Sequence, residues 1–393
     1  MSQLGYRLFD ADNHYYEATD AFTRHVDPAL QKRGMQWATI DGKLRLMVAG
    51  KVNRFIPNPT FDPIAKPGCL DEYFRGRSPA NDIRGAFGEL EPIRAEYRNR
   101  DARLELMDAQ NMEGCFLFPT LGVGMEQALL DDPVAAHGVF EAFNRWLEDD
   151  WGYAFEDRLF AAPYFTLLDP DAAVRELDRV LEHGARIICM RAGPIMHPSG
   201  GRSPGDRLYD PFWARVNESG VAVAYHSGEA GYGRYLADWG ESSEFEAFRR
   251  TALYGLLTSD RPIFDTMAAL ICHGVFERFP NVRVATIESG SEWVPSLLKK
   301  LRKAWSMTPG QFAGGDPIEQ FRQHVWVAPY YEDDIRSLAD AIGADHILFG
   351  SDYPHAEGIA VPASFADELK GFTDDEIRGI MRDNAMGLIK PAS

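Results

Sequence analysis

The 393-residue chain holds few cysteines: Cys69, Cys115, Cys189 and Cys272 stand far apart, and no CxxC motif occurs. That excludes a zinc finger and a disulfide framework, and it fits a reducing cytoplasm. No stretch reaches the roughly 18 apolar residues that a membrane-spanning helix needs. The opening "MSQLGYRLFDAD" lacks a basic segment followed by a long apolar one, so no secretory signal is read there. Basic residues are in deficit, with 41 Lys and Arg against 59 Asp and Glu and a net charge of −18. Such a chain repels nucleic acid and anionic membrane, and neither is expected as a partner. The phosphate-binding pattern GxxxxGK[ST] is absent, and no glycine-rich turn follows the first strand. Internal repeats and low-complexity tracts are absent too.

What is present is 45% hydrophobic residues, enough for a substantial core. Short apolar runs recur, among them "CFLFP", "RIICM", "VAVAY", "VRVATI" and "HILFG". Continuous apolar runs suit parallel strands covered on both faces. Strands are expected at Tyr6–Asp12, Gly114–Pro119, Leu159–Thr166, Arg186–Arg191, Ala222–His226, Val282–Glu288, His324–Ala328 and His346–Ser351. Helical patterns lie between them. "DPDAAVRELDRVLEHG" opens on Asp-Pro and closes on Gly, as a capped helix does. Eight strands with helical crossovers read as an α/β (β/α)8 TIM barrel, with a doubly wound open sheet as the runner-up. Residues 1–393 read as a single domain. Met35–Arg100 breaks the rhythm, with turn signals at Asp41-Gly42 and Ala49-Gly50. It reads as a small β-rich insertion after strand one, lying over the barrel mouth. Its Phe55 and Phe61 are expected to pack over the pocket or against a second subunit.

The stretch "LFDADNHYYE", from Leu8 to Glu17, puts three carboxylates and a histidine where a first strand should bury a core. Burying such groups is costly unless something compensates them. Asp12 and His14 are two apart, so on a strand they share a face. Other expected strands end on similar residues: His226, Glu288 and Asp352, with His355 in the loop beyond. Strand C-termini converge on the catalytic face of a barrel. Imidazole and carboxylate together suit a divalent ion such as Zn or Mn, which would compensate the clustered acids. Arg191, ending "RIICMR", suits a substrate carboxylate, or alternatively a surface ion pair. His273 lies in a helical stretch ahead of strand six and is expected to point away from the mouth.

The motifs "DADNHYYE", "YHSG", "ERFPNVRVATIESGSEWVP", "FGSDYPH" and "RDNAMGLI" resemble the amidohydrolase-related family that includes aminocarboxymuconate semialdehyde decarboxylase-like enzymes. The resemblance implies a metal-dependent barrel enzyme, hydrolytic or decarboxylating, often dimeric. Its metal ligands would fall on Asp12, His14, His226 and Asp352. Two departures stand out. Asp12 replaces the first histidine of the family's H-x-H pair. Glu288, in "ESGSEW", stands where the family commonly carries a catalytic histidine after strand six. Glu288 then serves as proton shuttle or as a further metal ligand.

These readings place Asp352, Glu288 and His226 in catalysis, and Arg191 and His355 in binding a small organic substrate. Hydrolysis by activated water, with Asp352 accepting the proton, ranks slightly above decarboxylation, because the usual strand-six acid is missing. A barrel that binds metal or ligand without turnover is the third reading.

Overall fold

The computed structural model describes residues 4–197, 200–242, 246–247, 251–312 and 314–390. Two parallel sheets and a surrounding layer of helices make a mixed α/β fold. Strand β1 (Leu8–Tyr15) is followed by an antiparallel meander of β2 (Met35–Ile40), β3 (Lys43–Val48) and β4 (Lys51–Val52). Its first turn uses Asp41 (φ 50°) and Gly42 (φ 71°), and its second Ala49 (φ 49°) and Gly50 (φ 74°). Consecutive left-handed residues are what a two-residue hairpin turn requires. Then come β5 (Met112–Pro119), β6 (Leu159–Ala161), β7 (Tyr164–Phe165) and β8 (Ile187–Arg191). A hairpin of β9 (Ile195–His197) and β10 (Gly200–Arg202) precedes β11 (Ala222–His226), β12 (Arg283–Ile287) and β13 (Val325–Val327).

One parallel sheet has the order β1-β5-β6, the other β13-β12-β11-β8-β7. Hydrogen bonds join them at both edges. Ala162 donates to Leu117 O and Cys189 to Pro163 O, so β6 and β7 continue one another across a break at Ala162-Pro163. Proline has no amide hydrogen for the ladder, which accounts for the interruption of the single strand expected there. On the other side Leu348 donates to Val327 O, and Ala11 donates to Phe349 O. The expected last strand, His346–Ser351, is thus an extended segment with single bridges rather than a ladder, and His346 closes a 3-10 turn. Helices link the strands: Arg100–Ala109 before β5, Pro133–Asp150 before β6, Pro170–Glu182 before β8, Asp210–Ser219 before β11 and Arg261–Cys272 before β12. Asn99, Asp132 and Asp169 cap the first three of these from their side chains. Asp169 accepts the amides of Asp171 and Ala172, with Pro170 next in line. His324 falls at the end of helix Pro317–His324, so β13 begins one residue later than expected.

The strands of the two parallel sheets are buried almost throughout, with every residue of β1, β8 and β11 buried, whereas most of the meander is partly or fully exposed. β1 also runs three residues past its expected end, so Asp12 and His14 lie inside it. The Met35–Arg100 segment is fastened to the loop after the last strand segment, where Gly68 donates to His355 O and Leu70 to Ala356 O. Gly68 has φ 74°, and a Cβ there would stand 2.8 Å from the Ala360 Cβ. Phe61 packs on Tyr16 with ring centres 4.6 Å apart.

Candidate metal centre

The strand ends bring Asp12, His14 and His226 to one point, and Asp352 adjoins it through His14. His14 Nε2 lies 3.3 Å from Asp12 Oδ1 and 3.3 Å from Asp352 Oδ1. His226 Nε2 lies 3.2 Å from His14 Nε2 and 3.5 Å from Asp12 Oδ1. Ligands held at about 2.1 Å in tetrahedral array stand about 3.4 Å from one another, so the spacings among Asp12, His14 and His226 suit one ion, with Asp352 beside His14. Glu288 Oε2 is 3.4 Å from His226 Nε2 and borders the same space. Asp12, His14 and His226 are buried, and Asp12 Oδ1 carries no hydrogen bond. His226 Nδ1 is 2.7 Å from the Ser227 carbonyl, to which it donates, leaving the Nε2 lone pair facing the cluster. Fixing the tautomer through the far nitrogen is how a metal-binding imidazole is prepared. Orphaned oxygen, facing imidazoles and clustered carboxyls all fit a divalent cation.

The electrostatics agree. Burial, and then the charge of His355, push His14 down to about 3, so it is a neutral imidazole. Burial would raise Asp12, but the His14 and His226 imidazoles, 3.3 and 3.5 Å from its Oδ1, hold it below the usual carboxylate range. Burial opposes a charge on His226, yet Asp12 and Glu288 win and raise it. Glu288 is pushed well up by burial and by Asp352, and Asp352 by burial, Glu357 and Asp12. The negative field that holds these protons also favours a metal ion in their place.

Local backbone sets the aim of each group. β1 advances from Asp10 to Asn13 while β5 advances from Cys115 to Leu117, so a bulge falls at Ala11 and Asp12. Gly350 lets the last strand segment approach, since a Cβ there would stand 2.6 Å from the Asp12 Cβ. Glu288 and Asp352 both adopt left-handed backbone, φ 50° and 56°. Non-glycine residues in that region are uncommon and gather at functional sites.

The remaining expected residues fall around this centre. His355 Nδ1 is 2.5 Å from Asp352 Oδ1, and its Nε2 is 3.0 Å from Thr120 Oγ1. Arg191 is buried, donating to Gln127 Oε1 and Pro194 O, with Glu126 Oε2 at 3.6 Å from its Nε. His273 is exposed at the end of helix Arg261–Cys272 and takes no part.

Other residues matter whose partners the sequence did not indicate. Asp10 is wholly buried and accepts from Ser351 N, Ser351 Oγ, Asn13 Nδ2 and Asp12 N. Glu17 Oε1 accepts the amides of Leu121 and Gly122 at 2.8 and 3.0 Å. The acids of "LFDADNHYYE" therefore do three jobs: Asp10 ties two strands, Asp12 faces the metal space, and Glu17 holds the loop after β5. The buried Arg103 guanidinium donates to the His14 and Glu96 carbonyls and to Asn13 Oδ1, anchoring β1 from behind. Glu357 stands in a loop, its carboxylate within 4.8 Å of those of Glu288 and Asp352. Its only sequence signal was its place two residues after His355.

Residues 90–389 match the family described as amidohydrolase. A solved structure of the amidohydrolase map2389c from Mycobacterium avium subsp. paratuberculosis K-10 is 47% identical, with TM-score 0.93, covering 98% of this chain and 100% of that one. Gamma-resorcylate decarboxylase of Rhizobium radiobacter is 25% identical over 268 residues, 65% of this chain and 76% of that protein. A dihydroxybenzoic acid decarboxylase from Polaromonas sp. JS666, solved with manganese and 2-nitroresorcinol, shares the fold at 20% identity and TM-score 0.59, covering 86% of this chain and 95% of that one.

Proposed function

Because the chain belongs to the amidohydrolase family, we propose that it is a metal-dependent decarboxylase of an aromatic or unsaturated acid. The observation that carries this is the set of Asp12, His14 and His226 around one point, with Asp352 3.3 Å from His14 and the Glu288 carboxyl 3.4 Å from His226. Asp12, His14 and His226, with Asp352 beside His14, would hold a divalent ion, which would supply positive charge to a substrate oxygen. Manganese is favoured over zinc by the Polaromonas relative. The ranking from sequence put hydrolysis first because a strand-six acid was missing. The Glu288 carboxyl, 3.4 Å from His226 and pushed up by burial and Asp352, is the candidate for that acid. Together with the decarboxylases among the relatives, this reverses the order.

In this reading Glu288 Oε2 gives its proton to the substrate carbon that bears the carboxylate. The carbon–carbon bond then breaks, its electron pair returns to the ring, and carbon dioxide leaves. Glu288 regains a proton from water. Asp10 and Arg103 hold β1 in place for this. Hydrolysis is the second reading, favoured by the 2.5 Å contact of Asp352 with His355, a pair able to accept a proton from attacking water. Arg191 and His355 remain the candidates for substrate contact beyond the metal.

The two sheets, joined at both edges, support an eight-stranded (β/α)8 barrel spanning one domain. We read Met35–Arg100 as an insertion over its mouth that helps select substrate, on the strength of the Gly68 and Leu70 contacts. No helix among the described residues is long and apolar enough to cross a membrane. Free cysteines support a reducing cytoplasm, and exposed Ile40, Leu44 and Val52 on the meander support a homodimer.

Manganese-loaded protein tested for carbon dioxide release on hydroxy- and amino-substituted benzoic acids checks the reaction. Release from at least one acid is expected. Hydrolysis of an ester or amide panel, with no carbon dioxide from any acid, would overturn it.

A further inference from the structure

Glu288 is aimed by its backbone alone. Its carboxyl, 3.4 Å from His226 Nε2, takes no hydrogen bond from any described residue. β12 ends at Ile287, whose carbonyl still accepts from Ser227 N at 3.1 Å. One residue on, the chain leaves the sheet through two left-handed residues, Glu288 at φ 50° and Gly290 at φ 59°. A glutamate in that region is strained, and such strain persists only where neighbours over-determine it. Because the side chain has no anchor of its own, whatever fixes this backbone also fixes the direction in which the carboxyl reaches.

The neighbours come from the loop after β13. The Tyr330 hydroxyl donates to the Glu288 carbonyl at 2.7 Å. Its ring lies against Gly290, where a Cβ would stand 2.8 Å from Tyr330 Cδ2. Asp333 Oδ2 accepts from three donors: Ser291 N at 2.7 Å, Ser291 Oγ at 2.9 Å and Tyr330 N at 2.9 Å. From its own side of the turn, the buried Trp293 indole donates to the Gly290 carbonyl at 3.0 Å. One carboxyl thus joins the turn that carries Glu288 to the tyrosine that grips it. Asp333 belongs to none of the clusters of carboxyls and imidazoles that border the metal space. Its three bonds all go to this turn and its clamp.

We propose that Tyr330 and Asp333 are positioning residues for Glu288. They hold the turn after β12 so that the Glu288 carboxyl stays beside His226, facing the substrate carbon. This deepens the decarboxylase reading. It rests on that reading for what Glu288 does, and not for how Glu288 is held. Neither Tyr330 nor Asp333 acts on the reacting atoms directly. Tyr330 is 45% exposed, so water replaces part of a lost hydrogen bond there and the expected effect is moderate.

The test is Tyr330→Phe, which keeps the ring against Gly290 and deletes only the hydroxyl. Crystals of the manganese-loaded variant should show the Glu288 carboxyl displaced from His226 or spread over several positions, with manganese at parental occupancy. On an acid that the parent decarboxylates, kcat should fall about fivefold with KM unchanged, as loss of one partly exposed hydrogen bond acting only in the transition state does. Asp333→Asn removes the charge and keeps one acceptor oxygen. It should shift both readings in the same direction, and it serves as the second variant should the first fail to fold. A Glu288 carboxyl unmoved in both variants overturns the proposal. So does a raised KM with parental kcat, which would make Tyr330 a substrate contact. Lost manganese also overturns it and makes the loop a prop for the metal centre. The two readings fail separately. A parent that releases carbon dioxide from no acid sinks the reaction, and the position of Glu288 in the crystals still decides the clamp. Carbon dioxide release by the parent, with Glu288 unmoved in the variants, sinks the clamp alone.

Discussion

Asp10 and Ser351 are joined twice: the Ser351 amide donates to Asp10 Oδ1 at 2.9 Å, and its hydroxyl to Oδ2 at 2.5 Å. This link fastens the last strand segment to β1 one residue before Asp352 and two before Asp12. Asp10→Ala leaves the Ser351 and Asn13 donors buried without an acceptor. The expected loss is about 3 kcal/mol in urea unfolding, with weakened metal retention. Asp10→Asn keeps one acceptor and should lose less. An Asp10→Ala variant as stable as the parent would show that the seam is held elsewhere.

Glu17 makes stability depend on pH. Burial pushes its carboxyl up to about 7 against the backbone amides that pull it down, from an ordinary value of 4.5. Between those values the folded chain holds a proton that the unfolded chain has lost. The Glu17 contribution is therefore fully present below about pH 4.5 and falls as pH rises to about 7. Unfolding free energies measured across that range should fall with a steeper slope in the parent than in Glu17→Gln. Parallel slopes would show Glu17 to be ionised throughout.

Gly350→Ala puts a methyl 2.6 Å from the Asp12 Cβ. Asp12 must shift, and its carboxylate leaves its place 3.3 Å from His14 Nε2. Manganese affinity should drop about tenfold or more, as it does when ligand placement is disturbed. A titration giving the parental affinity would mean that the strand segments separate freely.

Glu288 combines left-handed backbone with a carboxyl that burial and Asp352 push up. Glu288→Gly relieves the backbone and should stabilise the fold by up to about 1 kcal/mol while abolishing turnover. Glu288→Gln keeps the shape and should abolish turnover with full metal content. Lost metal would instead make Glu288 a ligand, and an unchanged rate would make it structural.

The sequence carried the metal cluster further than it carried the strands. Asp12 and His14 are close in sequence and alternate on one strand, and His226, Glu288 and Asp352 each follow an apolar run, so position alone aims them. Asp10 and Glu17 were visible as costly buried acids, but their partners, Ser351 and the Leu121 and Gly122 amides, are 341, 104 and 105 residues away. No local pattern records such a pairing. Burial of "HILFG" was legible, whereas the thinness of its hydrogen bonding was not, because apolar spacing reports what covers a segment rather than what it bonds to. Pro163 was readable as a missing donor inside an expected strand. Glu357 and Thr120 lie on loops, and their approach to the cluster depends on where those loops fold.

Metal content of purified His226→Ala, measured by mass spectrometry beside the parent, tests the central claim most directly. The parent should hold one divalent ion per chain. The variant, with parental circular dichroism, should hold little or none, since removing one ligand from such a set lowers affinity steeply. One ion per chain retained in folded His226→Ala would contradict the assignment of Asp12, His14, His226 and Asp352 as the metal centre.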